Sequence, residues 1–193
     1  MSNGMSEPTT LTRRPMRADA RRNYDALVTA ARELFASEGT SAPLEEIAKR
    51  SGVGIGTLYR HFPTRQALLE AVFLEEVQAM AESADKLTAL PPWEALVEWF
   101  RRYVGFAGTK KALNEALLEA DPDSGVLVSC RTALAEAGTS LISRAQEAGV
   151  VRRDVAFADV GRMVAGIALV PTVDDEQKQR MLELALDGLR YRG

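Results

Sequence analysis

The sequence is short of the residues on which metal and catalytic chemistry most often depends. It has one cysteine, Cys130, and one histidine, His61, among 193 residues. A lone cysteine cannot form an internal disulfide, which agrees with a reducing compartment. One histidine without clustered partners is a poor basis for a zinc site or a catalytic triad. We therefore expect no metal, no cofactor and no enzymatic activity.

Long apolar runs are missing as well. The longest candidate, MVAGIALV at residues 163–170, is far shorter than the roughly 20 residues that cross a bilayer. The opening residues, MSNGMSEPTTLTRRP, have no apolar stretch of the kind a secretory signal needs. With 46% hydrophobic and 26% charged residues, we expect a soluble cytoplasmic protein with a real core and no membrane partner.

Positive charge is scarce overall but concentrated near the start. The net charge is −3, yet residues 1–65 carry +3 and residues 66–193 carry −6. Five arginines lie within residues 11–22, against one acid. We expect residues 1–16 to form a flexible basic arm before the first helix.

Apolar residues recur at three- and four-residue spacing along most of the remaining chain, and no stretch alternates at period two. The pattern predicts an all-α fold of about nine helices and no strands. Residues 17–63 form a first domain of three short helices, with Thr40 or Ser41 capping the second and Pro43 in its first turn. Residues 64–193 form a larger domain of longer helices.

The run SGVGIGTLYRHF, residues 51–62, predicts a turn followed by a short helix. Gly52 and Gly54 suit the turn. At 100° per residue, Ile55, Leu58 and Phe62 share an inward face. The outward face carries Gly56, Thr57 and Arg60, with Tyr59 and His61 on its two borders.

Such a helix suits the major groove of DNA, where its central face meets base edges and its borders pass the phosphates. Arg60 can donate two hydrogen bonds to guanine, and Thr57 can reach a phosphate or a thymine methyl. Tyr59 and His61 can donate to phosphates, and Gly56 provides clearance. The alternative for His61 is a capping or core role.

These residues resemble a known family. Residues 21–74, above all SAPLEEIAKRSGVGIGTLYRHFPTRQALL, resemble the helix-turn-helix domain of the TetR family of bacterial transcriptional regulators. The resemblance implies that Tyr59, His61 and Arg65 contact phosphates and that Thr57 and Arg60 lie toward the groove. The rest of the chain is similar to the family in size and all-helical pattern.

Further DNA contacts are expected around this helix. Thr40 and Ser41 are candidate phosphate donors, and Arg14 and Arg17 are candidates for phosphate or minor-groove contacts, unless the arm is only a solvated tail. The chain departs from its relatives at Gly54 and Ile55, where a polar base contact is lost. Ile55 either touches a thymine methyl or packs inward, and we favour packing.

The resemblance also implies that the larger domain encloses a ligand cavity. The aromatic cluster at residues 93–106 is the candidate wall, although aromatics at helical spacing are usually core. Cys130 is predicted to be a small buried residue rather than a redox sensor. The candidate cavity residues are Trp93, Trp99, Phe100, Tyr103, Phe106, Cys130 and Leu134.

The last two predicted helices suggest a dimer interface. The penultimate helix is apolar nearly all round, and Gly161, Ala165 and Ala168 form a stripe that permits close approach. A two-fold, four-helix interface fits, and the family uses the same arrangement. Its candidate residues are Val160, Val164, Ile167, Ala168, Met181, Leu182, Leu186 and Leu189.

The sequence thus predicts a homodimeric repressor that binds a pseudo-palindromic DNA operator and is released by an unknown small-molecule effector. The alternative is a regulator of the same fold without a small-molecule ligand, controlled by its abundance or by a protein partner. The alternative predicts no sizeable cavity among the helices of residues 93–148.

Overall fold

A computed structural model describes residues 18–190 of the chain, and this part is all-helical, as predicted. It holds nine α-helices and a short 3₁₀ helix at Asp85–Leu87. No strand occurs within residues 18–190, only an isolated β-bridge between Val151 and Arg190. The helices are α1 Ala18–Glu38, α2 Leu44–Ser51, α3 Ile55–His61, α4 Arg65–Glu82, α5 Pro92–Thr109, α6 Lys111–Ala120, α7 Gly125–Glu147, α8 Phe157–Leu169 and α9 Asp175–Asp187.

Three of the helices begin at a polar residue that accepts a hydrogen bond from a free backbone N–H group. Thr64 accepts from the N–H of Ala67 at 3.1 Å and so begins α4. Ser124 and Asp174 play the same part for α7 and α9. At the start of α2, however, the predicted capping was wrong: Pro43 occupies the N-cap position and no side chain caps the helix.

The turn between α2 and α3 is built by its glycines, as predicted. Gly52 has a φ of +69°, a left-handed conformation that suits glycine, and its N–H closes the end of α2. Gly54 is extended and forms the N-cap of α3. The second and third helices therefore follow each other with only three residues between them.

The buried side chains form two clusters. The first lies among α1, α2, α3 and α4 and continues into Leu113 and Leu117 of α6 and Leu127 and Cys130 of α7. The second joins α5, the later part of α7, α8 and α9. Phe106 and Leu134 pack against both clusters. The core of the helix-turn-helix part is thus continuous with the beginning of the larger helical part through α4.

Two further observations bear on the sequence predictions. Within residues 18–190, no helix has the length and apolar character needed to cross a membrane. The basic arm at residues 1–16, which includes the predicted DNA contact Arg14, lies outside the described residues, and so does the predicted contact Arg17.

Candidate functional site

The short helix α3 presents the outward face that its sequence predicts. Leu58 and the adjoining Phe62 are buried in the first cluster and hold the helix against α1 and α2. Gly56, Tyr59 and Arg60 are exposed on the other side, and a Cβ added at Gly56 would meet no atom within 4 Å. The face is therefore open to a large partner.

Ile55 does not pack inward, so the preferred prediction for this residue was wrong. Its side chain is 40% exposed. As the first residue of α3, it lies beyond the buried cluster, and Val53 of the preceding turn packs on that cluster instead. An exposed apolar side chain at the start of α3 leaves the thymine-methyl contact as the remaining prediction.

His61 is half-buried at the end of α3. Its ring meets Tyr24 of α1 edge to face, with 6.2 Å between ring centroids. The packing fixes the ring at the border of the exposed face, where one side remains accessible. Thr57 is likewise half-buried.

Arg65, predicted to contact a phosphate, is held within the protein. Its Nη1 donates to the backbone carbonyl oxygens of Thr40 at 3.1 Å and Ala42 at 2.6 Å. These bonds join the start of α4 to the segment before α2. Thr40 is half-buried and Ser41 is exposed beside this anchor. The sequence pattern gave no sign of this structural role, because the two acceptors are backbone groups more than 20 positions away.

A cavity of about 280 Å³ lies between the two buried clusters. Four of the seven predicted cavity residues line it: Tyr103, Phe106, Cys130 and Leu134. Its wall is completed by Phe73, Ala107, Lys110, Lys111, Asn114, Leu118, Leu127, Arg131, Ala165 and Leu169.

The other three predicted cavity residues do not line this cavity. Trp99 and Phe100 are fully buried in the second cluster. The indole N–H of Trp99 donates to the carbonyl oxygen of Met80 at 3.2 Å, which ties α5 to the end of α4. Trp93 lies under the guanidinium of Arg190, 4.1 Å from its ring centroid. Trp99 and Phe100 are therefore core, whereas Tyr103 and Phe106 line the cavity.

Burial alters the acidity of two cavity residues. It raises the pKa of the Cys130 thiol to about 11, so this group is protonated at neutral pH. Burial likewise raises the pKa of the Tyr103 hydroxyl. The charge of the cavity wall therefore comes from its lysines and its arginine, which sequence reasoning did not assign to it. One signal was the Lys110-Lys111 pair between two helices.

A chain of ion pairs connects the cavity with α1. Lys110 Nζ lies 3.0 Å from Glu76 Oε2 of α4. Arg32 Nε of α1 lies 2.7 Å from the other oxygen of Glu76, and Arg32 Nη2 donates to Glu75 at 2.8 Å. Burial raises the pKa of Glu75, and Arg32 opposes this effect. The pairs are only partly exposed to solvent, which increases their strength.

The predicted dimer residues lie mostly inside the protomer, and their contact with a second copy stays a prediction. Seven of the eight are buried in the single chain, and Met181 is half-buried. The buried seven are Val160, Val164, Ile167, Ala168, Leu182, Leu186 and Leu189. They pack α8 and α9 onto α5 and α7 or lie at the edge of that core, because one face of each helix must cover its own domain.

The predicted small-residue stripe also faces the protomer. Gly161 lies against the ring of Phe157, Ala165 lines the cavity and Ala168 is buried. The outer surfaces of α8 and α9 carry other apolar side chains, of which Leu184 is 76% exposed. Met163 and Leu169 are exposed on α8, with Gly166 between them.

The short exposed helix α3 packs on α1 and α2 near the N-terminal end of the described residues, which are all-helical. This arrangement defines a helix-turn-helix DNA-binding protein. Comparison with known proteins specifies the family. Residues 27–72 match the family model "Bacterial regulatory proteins, tetR family", and residues 91–191 match "Transcriptional regulator SbtR-like, C-terminal domain". The second match spans more than half of the chain, and the chain belongs to the TetR family of transcriptional regulators.

Solved structures agree over nearly the whole chain. A TetR transcriptional regulator from Streptomyces coelicolor is 39% identical, with 88% of this chain and 99% of that chain covered and a TM-score of 0.72. A TetR regulatory protein from Mycobacterium vanbaalenii is 35% identical, with coverage of 92% and 100% and a TM-score of 0.71. These matches are regulators of transcription and not enzymes.

The match to curated relatives covers less than half of the chain. An HTH-type transcriptional regulator of Staphylococcus aureus is 35% identical over 83 residues, which are 42% of this chain and 44% of the relative. The chain thus spans less than half the length of this curated relative.

Proposed function

We propose that the protein is a homodimeric repressor that leaves a pseudo-palindromic operator when a small molecule binds its larger domain. The observation that carries this proposal is the cavity between the two buried clusters. Phe73 of α4 forms part of its wall, and α4 also helps to build the core beneath α3. A molecule in the cavity thus contacts the helix that supports the DNA-binding part.

The DNA contacts would come from the exposed side of α3 and its surroundings. Arg60 and Thr57 face the bases, Tyr59 and His61 face the phosphates, and Gly56 allows close approach of the backbone. Ile55 meets a thymine methyl. Thr40 and Ser41 contribute phosphate donors, and Arg65 supports them by holding the carbonyl of Thr40. The arm with Arg14 and Arg17 adds salt-dependent contacts.

In this proposal residues 17–63 bind DNA and residues 64–193 bind the effector and dimerise. Two copies would pair through the outer faces of α8 and α9. Exposed Met163, Leu169 and Leu184 supply apolar area, and Gly166 permits close approach of the helices. A two-fold axis would set the two α3 helices about 34–36 Å apart, the spacing of successive major grooves.

One structural neighbour of the same fold has been solved with a bound small molecule. FadR of Thermus thermophilus, a TetR-family transcriptional repressor in complex with lauroyl-CoA, is 24% identical, with 88% of this chain and 96% of that chain covered and a TM-score of 0.57. The likeness concerns the fold alone and does not identify an effector for this chain.

The second candidate function is a regulator of the same fold without a small-molecule ligand. It predicts no sizeable cavity among residues 93–148, whereas these residues supply eleven of the cavity's fourteen lining positions. The cavity's volume lies just below the range of about 300–1,000 Å³ that is usual for ligand pockets. The cavity favours the ligand-responsive repressor.

The test is a gel-shift panel with genomic fragments, including the protein's own promoter region. We expect retention of a fragment by wild-type protein, loss of retention with Arg60→Ala, and release by a compound that binds the cavity. Failure to retain any fragment, together with no effect of Arg60→Ala, would disprove the DNA-binding assignment. Retention that no cavity-binding compound reverses would leave the second candidate function.

A further inference from the structure

The cavity combines an apolar wall with positive charge. Three aromatic rings, those of Phe73, Tyr103 and Phe106, line it together with leucine side chains. Its charged side chains are Lys110, Lys111 and Arg131, and among its described lining residues none is acidic. Lys111 and Arg131 are exposed, so the cationic groups continue to the solvent side of the cavity. The wall thus has the chemistry to hold an apolar body that carries an anionic group.

Lys110 differs from the other two cations because it already has a partly buried partner, Glu76. Its Nζ lies 3.0 Å from Glu76 Oε2, and the side chains of Lys110 and Glu76 are only 19% and 17% exposed. Lys110 also occupies the junction where α5 ends and α6 begins. An anion in the cavity would therefore compete with Glu76 for the same ammonium group.

Glu76 is shared between the cavity and the DNA-binding part. One of its oxygens meets Lys110 and the other meets Arg32 of α1. Glu76 also lies one turn after Phe73, which forms part of the cavity wall. A change in the position of the Glu76 carboxylate consequently reaches α1 through one ion pair.

We propose that the effector is a small amphipathic carboxylate with an aromatic or similarly compact apolar body, and that it displaces Glu76 from Lys110 and thereby alters the Glu76–Arg32 contact. The inference rests on the proposed control by a small molecule and specifies its chemical class and its path to α1. The ligand acts by binding one arrangement of this ion-pair chain more tightly than the other.

Binding can be tested without DNA, by titration calorimetry of the full chain with 3-phenylpropanoate and its neutral counterpart 3-phenylpropanamide. We expect the carboxylate to bind at least about tenfold more tightly than the amide, because it makes one charge-assisted contact with the lysine. A tenfold difference in affinity corresponds to about 1.4 kcal/mol. Lys110→Met should remove this preference, and Lys110→Arg should keep it. The matched control is Lys86→Met, an exposed lysine of the 3₁₀ helix, which should leave both affinities unchanged.

The Glu76→Gln variant separates binding of the carboxylate at Lys110 from the effect of that binding on α1. Without its competitor, Lys110 should bind the carboxylate more tightly than in the wild type. Hydrogen exchange of backbone amides around Arg32 provides the second measurement. The carboxylate should change this exchange in the wild type and leave it unchanged in Glu76→Gln, where the link is already broken. A residue with a merely structural role would not combine stronger binding with lost transmission.

Several results would overturn the proposal. For binding, these results are equal affinity for the amide and the carboxylate, an undiminished preference in folded Lys110→Met, or no saturable binding of the carboxylate by the wild type at millimolar concentration. For Glu76→Gln, they are weaker carboxylate binding than in the wild type, or a change in hydrogen exchange around Arg32 as large as the wild type shows. Circular dichroism establishes that each variant is folded. These results leave the gel-shift outcome untouched, so failure of the anion assignment is distinguishable from failure of the regulator assignment.

Discussion

Gly138 of α7 lies directly against the ring of Phe157, which begins α8. A Cβ on Gly138 would overlap the ring carbons Cδ2 and Cε2. The ring cannot move away freely, because it also stacks on Phe100 with 6.3 Å between centroids and meets Trp99 edge to face. The absence of a side chain at Gly138 is therefore what lets α7 and α8 approach across this aromatic group.

We expect Gly138→Ala to lower the free energy of unfolding by about 1–3 kcal/mol, the usual cost of overpacking a core. The matched control is Gly105→Ala in α5, where an added Cβ meets no atom within 4 Å. That change should raise stability by about 0.5–1 kcal/mol, because alanine favours the helix. Urea denaturation monitored by circular dichroism measures both. A stabilised Gly138→Ala would mean that the ring relaxes without cost.

The features of the fold that could be predicted from the sequence are local ones. Gly52 closes α2 with the predicted left-handed conformation, and Leu58 and Phe62 are buried as the 100° periodicity requires. These features depend on neighbours within a few residues. Ile55 shows the limit, because whether an apolar residue at a helix end is covered depends on the adjoining turn, where Val53 covers the core instead.

The parts it missed depend on distant groups. The Arg65 bonds reach backbone carbonyls of another segment, and the Glu76 pairs connect α1, α4 and the junction before α6. A helical wheel for α8 or α9 identifies an apolar face, but it cannot tell the core of the protomer from a partner. Val164 and Leu182 illustrate this, because they lie on that apolar face and are fully buried in the single chain.

Arg60 and Arg65 lie close in sequence but should respond differently to the same substitution. Arg65→Met removes two charge-assisted hydrogen bonds to Thr40 and Ala42, each worth about 1.5–3 kcal/mol in typical cases, so we expect lower stability and weaker DNA binding together. Arg60→Met should leave stability within about 0.5 kcal/mol, because Arg60 is exposed, yet reduce sequence-specific binding by about 1–3 kcal/mol. Thermal unfolding and gel shifts on the retained fragment measure the two effects.

Arg65→Lys is the control for the expected difference between Arg65→Met and Arg60→Met. A lysine keeps the charge but lacks the guanidinium geometry, so it should restore a general phosphate attraction and only part of the stability. Full recovery of stability by Arg65→Lys would contradict the anchoring role. Unchanged stability of Arg65→Met would do so even more directly.

Cys130 should react slowly with iodoacetamide at neutral pH. Its thiol is buried and its pKa is raised to about 11, and the thiolate is the reactive form. This pKa lies above the pH range of the experiment, pH 7 to pH 9. The thiolate fraction, and with it the reaction rate, should therefore rise about tenfold per pH unit across that range. The chain unfolded in urea is the control, with a thiol of ordinary pKa near about 8.5 and a rate that levels off above it. Mass spectrometry follows this single cysteine, and a plateau of the folded protein's rate near pH 8.5 would refute the burial effect.

A substitution at Leu184 should show whether the exposed apolar surface of α9 is a dimer interface. Its side chain is 76% exposed, so Leu184→Glu should leave the protomer folded while it places a charge in the proposed two-fold interface, near its own symmetry mate. We expect sedimentation equilibrium to show a mass of two chains for the wild type and a shift toward one chain for the variant. The matched control is Val128→Glu, an exposed valine of α7 rather than of α8 or α9, and with this change the dimer should persist. If both substitutions leave the dimer intact, the subunits pair through another surface, and if both dissociate it, added negative charge rather than the α9 face is responsible.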